Sequence, residues 1–113
     1  MSDTSDTIVE AGDAKKGREG ERLLAAGDDI AMRMWENESP GDAKPVSTRD
    51  YETVGYVIAG RAELHLGDRV IPLKPGSSYA VPRGVAHTYR ILETFSAVEA
   101  TTPPSRDTGW EDE

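Results

Sequence analysis

His87 is the side chain of this protein best equipped for chemistry. Its imidazole can bind a metal, exchange hydrogen bonds or move a proton near neutral pH. It closes the run Gly76-Ser-Ser-Tyr-Ala-Val-Pro82-Arg-Gly84-Val-Ala-His87, where glycine, proline, glycine and histidine are separated by five, one and two residues. Tyr89 lies two residues on, so in a strand the phenol faces the same way as the imidazole. A histidine and a tyrosine on one wall can hold a polar small molecule; equally, Tyr89 can plug the interior. Three roles stay open for His87: a core imidazole satisfied by a neighbour, a donor to a ligand, or a general acid or base. The other histidine, His65, alternates with Glu63 and Arg61 and is expected on a solvated or interface surface. There is no cysteine, which removes thiolate nucleophiles, disulfides and cysteine-held metal sites.

The elements that would position these groups read as strands. Ala62, Leu64 and Leu66 alternate with Arg61, Glu63 and His65, the pattern of a half-buried strand. Gly67-Asp68 turns the chain, residues 69–73 form the next strand, and Lys74-Pro75-Gly76 turns it again. Residues 78–81 are a short strand stopped by Pro82. Residues 86–92 and 95–101 read as two strands paired across Glu93-Thr94. Residues 53–58 are β-rich and end at Ala59-Gly60, and residues 29–36 carry Ile30, Met32 and Met34 at period two. That parity predicts Trp35 facing outward, and Glu36 and Glu99 facing inward with Met34 and Ala97. Asp28-Asp29 reads as a hairpin tip. Residues 18–26, bracketed by Gly20 and Gly27, can form a helical turn or two. Eight to ten short strands predict a sandwich or small barrel.

The chain divides into a mobile N-terminal arm (residues 1–19, with Ile8-Val9 as a candidate short strand), a barrel (20–102) and an acidic C-terminal tail (103–113). Two prolines open the tail, and its Trp110 either docks or frays. Of the 113 residues, 36% are hydrophobic and 30% charged, and the formal net charge is -8. A chain this acidic repels phosphate backbones and anionic bilayers, so nucleic acid and membrane are not expected partners. The N-terminal residues have no apolar core of a secretory leader, and no apolar run reaches spanning length, so a cytoplasmic location is expected.

Two spacings together resemble the signature of the cupins. The Gly76-to-His87 run matches the second cupin motif. Ahead of it, Gly41 is followed by five residues, Ser47, one residue, Arg49, three residues, Thr53, six residues and Gly60. These are the intervals of the first motif, with both framing glycines in place. Residues 61–75 separate the two. The chain is thus similar to a small single-domain cupin of the cupin-2-type conserved barrels. The resemblance implies an all-β fold, a single jelly-roll or β-sandwich barrel, with tight turns and positive φ at Gly60 and Gly76.

The family's usual site takes three ligands from the first motif and the histidine of the second, and holds a divalent ion such as Fe, Mn, Ni or Zn. In this chain those positions are Ser47, Arg49, Thr53 and His87. Serine and threonine are poor ligands for such ions, and arginine cannot ligate. A further position, often asparagine, is Ile91. Only His87 matches, so no metal cofactor is expected; a divalent transition metal, if bound, would sit on His87. Glu52 is one position off the Thr53 slot and would need a bulge to turn inward. Arg49 either clamps a carboxylate or phosphate, or pairs internally with Glu36, Glu99 or Glu52.

The expected function is therefore a small-molecule-binding barrel without the usual metal, with Ser47, Arg49, Thr53, His87 and Tyr89 lining a pocket for a polar or anionic ligand. Two alternatives accompany it. One is a cupin enzyme, with a non-standard metal site or with His87 as the catalytic acid/base of a metal-free isomerase or epimerase. The other is a non-catalytic structural barrel. The resemblance also implies a homodimer.

Overall fold

The fold is that of a computed structural model, which describes residues 7–105. Trp110 and nearly all of the acidic tail lie outside these residues. Six antiparallel strands form: β1 (Arg22–Ala26), β2 (Ala31–Glu38), β3 (Glu52–Leu66), β4 (Arg69–Leu73), β5 (Ser78–Val81) and β6 (His87–Thr102). The long pair β3 and β6 is the axis of the molecule. From Tyr51 through the first half of β3, and along the second half of β6, alternation is regular: Tyr51, Thr53 and Val57 point inward, and so do Phe95, Ala97, Glu99 and Thr101. Val54, Tyr56 and Ile58 form an apolar, half-exposed outer face.

Both long strands fold over at the same level. The ladder pairs Glu52–Ala59 with residues 96–102, slips register around Gly60, and resumes between Arg61–Leu66 and residues 87–93. The sheet runs β1-β2-β6-β3-β4, with β5 also on β3. β5 flanks the first half of β3 and β4 the second, so each half of the axis belongs to one face of a sandwich. The second face is completed by an irregular edge, in which the N–H groups of Gly41, Lys44 and Ser47 donate to the carbonyls of Ile91, Tyr89 and His87. Val57, Ala62, Leu64, Leu73, Val81, Ile91, Phe95 and Ala97 pack into one core. Full burial of each larger member stabilises the fold by about 1.5–3 kcal/mol relative to exposure.

Several expectations are corrected. Residues 86–92 and 95–101 are one strand, because Glu93-Thr94 is the bend of β6 opposite Gly60 rather than a hairpin tip. Residues 53–58 likewise continue through Gly60 to Leu66. The eight to ten short strands become six among the described residues, with two doing double duty. Residues 22–26 are a strand, not a helical turn, because pairing with β2 supplies hydrogen bonds that an isolated short helix could not match.

The parity of β2 is the reverse of that predicted. Ile30 and Met32 are 50% and 41% exposed, while Ala31 is buried. Residues opposite one another in an antiparallel pair share a face, and β2 is registered Ala31 to Thr101, Arg33 to Glu99 and Trp35 to Ala97. Arg33 and Trp35 therefore face inward with Glu99. Glu36 faces out, where its carboxylate accepts from Arg22 Nε at 2.6 Å. Asp28-Asp29 does form the tip between β1 and β2. In the N-terminal arm, Ala11–Asp13 is a 3-10 turn. A lone bridge ties Lys16 to Arg22, and Ile8-Val9 form no strand. Among the described residues no helix is long and apolar enough to cross a membrane.

Candidate functional site

One rung of the sheet builds the site. Tyr79 on β5, Gly55 on β3, Glu99 on β6 and Arg33 on β2 are successive register partners. Gly55 has no side chain, and a Cβ there would collide with the Tyr79 phenol ring. The ring thus lies across β3 and its hydroxyl donates to Glu99 Oε2 at 2.5 Å. Tyr89 donates to the same oxygen at 3.4 Å. On the other oxygen, Glu99 Oε1 accepts from Arg33 Nε at 2.8 Å and Trp35 Nε1 at 2.9 Å. The carboxylate is fully buried and has four donors around it.

The guanidinium of Arg33 is held against aromatic faces, 5.4 Å from the Trp35 ring centre and 5.6 Å from that of Tyr51. Such contacts supply about 0.5–2 kcal/mol each, more when desolvated. Arg33 Nη1 also donates to the Tyr51 hydroxyl at 3.4 Å. Tyr79 and Tyr89 meet edge to face at 6.2 Å, and His87 and Tyr89 at 5.9 Å. His87 Nδ1 lies 3.1 Å from the Val85 carbonyl. A carbonyl only accepts, so Nδ1 carries the proton and, in the neutral ring, Nε2 is the acceptor.

These groups enclose a cavity of about 360 Å³. Ser47, Arg49, His87 and Tyr89, four of the five candidate pocket residues, line it. Thr53 faces inward but does not line it; it packs between Val81 and Thr101 in the ladder, 4% exposed. Arg49 pairs with none of the three glutamates expected. Its Nη2 donates to Glu19 of the N-terminal arm at 3.2 Å. Lys44 and Glu38 form a looser pair at 3.9 Å. Both pairs are partly exposed and contribute little to stability. Glu52 stays exposed and out of the cavity.

The sequence reading missed Arg33, Trp35, Tyr51 and Tyr79. The alternation Ala31, Arg33, Trp35 was the available signal, and two flanking methionines overrode it. Glu99, an inward candidate by parity with Ala97, is inward and is the centre of the site.

The residues do not fit the family's usual divalent centre. Among the described residues no group of three His, Asp or Glu could hold a metal ion. His87 has Ser47 as its backbone partner, and Glu99 has its lone pairs occupied by two tyrosines, a tryptophan and an arginine.

The cluster fixes a pH window. Burial alone would raise the carboxyl of Glu99. The Arg33 charge beside it, with hydrogen bonds from Tyr79, Trp35 and Arg33, holds it below its ordinary 4.5 instead. Burial, then the Glu99 charge, pushes Tyr79 and Tyr89 well above their ordinary 10.0. A depressed carboxylate contributes stability that is full above 4.5 and lost as pH falls beneath it; a raised phenol contributes stability that is full below 10.0 and lost as pH rises past it. Unfolding free energies from urea titrations are expected to fall at both ends, with Tyr79 and Tyr89 ionising only as the chain unfolds. Smooth titration of all four tyrosines in the folded protein would contradict this.

The family model for the cupin domain matches residues 34–101. No curated protein matches the chain. Among solved structures, it is similar to an RmlC-like cupin from Shewanella frigidimarina, with 15% identity, a TM-score of 0.77, and 89% of this chain and 94% of that one covered. KdgF from Halomonas sp. gives 19%, 0.74, 89% and 97%. The polyketide cyclase RemF from Streptomyces resistomycificus gives 24%, 0.67, 84% and 77%. At these identities the likeness shows the fold alone.

Proposed function

The chain belongs to the cupin domain family, and from that premise we propose that it is a small-molecule-binding barrel working without the family's usual divalent metal. The observation that carries this reading is the state of Glu99. Among the described residues Glu99 is the one buried carboxylate, and it is committed to Arg33, Trp35, Tyr79 and Tyr89. It rigidifies the wall of the cavity rather than offering an anionic ligand to a cation. A volume of about 360 Å³ lies at the lower end of the usual range for ligand pockets, roughly 300–1,000 Å³. Trp35, Tyr51, Tyr79, Tyr89 and Phe95 give the walls aromatic surface among paired charged groups, which suits binding by shape plus orientation.

A second reading has one specific observation in its favour. The bond from His87 Nδ1 to the Val85 carbonyl fixes the tautomer in which Nε2 accepts a proton. A metal-free acid–base reaction at His87 is consistent with that tautomer.

Two measurements test the binding reading. Elemental analysis of protein purified without chelator or affinity tag is expected to find far less than one Fe, Mn, Ni or Zn per chain. A stoichiometric metal that disappears in His87→Ala overturns the metal-free assignment. A thermal-shift screen of small organic compounds is expected to raise the melting temperature for some of them. A screen in which nothing stabilises the protein overturns the binding role.

A further inference from the structure

Within the binding reading, and resting on it, the cavity also indicates what kind of ligand it takes. Arg33 has five N–H donors. One, on Nε, goes to Glu99, and Nη1 makes the long contact to Tyr51. No acceptor among the described residues takes the hydrogens of Nη2. Yet no buried side-chain nitrogen or oxygen among the described residues lacks a partner, so Nη2 is not sealed in. Arg33 retains 11% exposure and lines the cavity. Its open edge therefore faces the interior, beside the faces of Trp35 and Tyr51.

The charge of the ligand follows from the surroundings. Six charged side chains line the cavity, and they cancel in three pairs: Arg33 with Glu99, Arg49 with Glu19, and Lys44 with Glu38. A carboxylate placed on Arg33 would be a second anion on a guanidinium already shared with a buried one. Taking an uncompensated charge out of water is costly. A neutral oxygen acceptor gains a charge-assisted hydrogen bond from Nη2 and carries no such cost.

We infer that the cavity binds an uncharged, ring-bearing compound whose carbonyl oxygen accepts from the Nη edge of Arg33 while its ring packs among Trp35, Tyr51 and Tyr89. The volume limits it to one or two rings. Arg49, the arginine singled out from the sequence, takes no part beyond its pair with Glu19.

Three probes of nearly equal shape decide the matter: acetophenone, ethylbenzene and benzoate. Each is titrated into the folded protein, followed by the Trp35 indole N–H resonance, assigned with Trp35→Phe. Acetophenone is expected to bind about tenfold or more tighter than ethylbenzene, the worth of one hydrogen bond to a charged donor, and also tighter than benzoate. Arg33→Lys, which keeps the charge beside Glu99 but removes the fork, is expected to narrow the gap between acetophenone and ethylbenzene. Equal binding of those two overturns the oxygen site. Tightest binding by benzoate overturns the charge argument while leaving a binding barrel. Failure of all three to bind overturns this ligand class, and the wider thermal-shift screen separately decides the binding role. If Arg33→Lys does not fold, the comparison of probes on the natural protein still decides.

Discussion

Replacing Arg33 by methionine is expected to destabilise the barrel by about 3–5 kcal/mol, because it strands a buried carboxylate. Glu99 has no exposed side-chain surface, and its remaining donors, Tyr79, Trp35 and Tyr89, are neutral. Adding Glu99→Gln to Arg33→Met removes the second charge and is expected to recover more than half of the loss. The cycle then shows a coupling well above the few tenths of a kcal/mol of independent sites. The pH dependence supplies a second signature. The natural protein loses stability as acid protonates a carboxylate held below 4.5. In Arg33→Met, burial is no longer opposed by a cation, so the carboxyl rises and protonation relieves the strain. Acidification from neutral pH is therefore expected to shrink the gap between variant and natural protein. Urea unfolding of the four proteins across pH measures all of this. A gap independent of pH, or additive single losses, would mean that the pair is not coupled as described.

That ion pair also shows where sequence reading succeeds and where it stops. The intervals from Gly41 to Gly60 and from Gly76 to His87 were enough for the barrel, and Ser47, Arg49 and His87 of those motifs lie on the cavity wall. These positions are legible because tight turns tolerate few residue types and leave a fixed spacing. The face of β2 was not legible. Its alternation is equally strict in either phase, and the apolar phase, Ile30, Met32 and Met34, is the one that ordinarily points inward. Here the inward phase is Ala31, Arg33 and Trp35, chosen by register against Ala97, Glu99 and Thr101. A cation prefers the interior only when its partner is already there, and β6 lies some sixty residues downstream. The gap at Gly55 was unreadable for the same reason. A strand glycine signals a close approach, but only the β5 register says that the approaching group is Tyr79.

Gly60→Ala is expected to cost about 4 kcal/mol or more, in the range reserved for mutations that break the backbone frame. Two effects combine there. Gly60 has φ +83°, a region that carries a penalty of roughly 1–2 kcal/mol for a residue with a Cβ. In addition, an added Cβ would meet the Thr94 carbonyl and lie 2.7 Å from Phe95 Cα, both of them backbone. Neither can rotate away like the end of a side chain. The bend of β6 at Glu93-Thr94 rests directly on Gly60, so the clash can be relieved only by opening the fold-over of the two long strands. That fold-over is what turns one sheet into two facing halves and creates the interior, so the cavity depends on it. Gly76 provides the control. Its φ is +91°, yet an added Cβ there would meet nothing within 4 Å. Gly76→Ala should therefore show the conformational penalty alone, about 1–2 kcal/mol, and leave binding to the cavity intact. Paired urea denaturations separate the two contributions: equal losses at the two positions would mean that the close contact at the bend contributes nothing and that φ alone sets the cost.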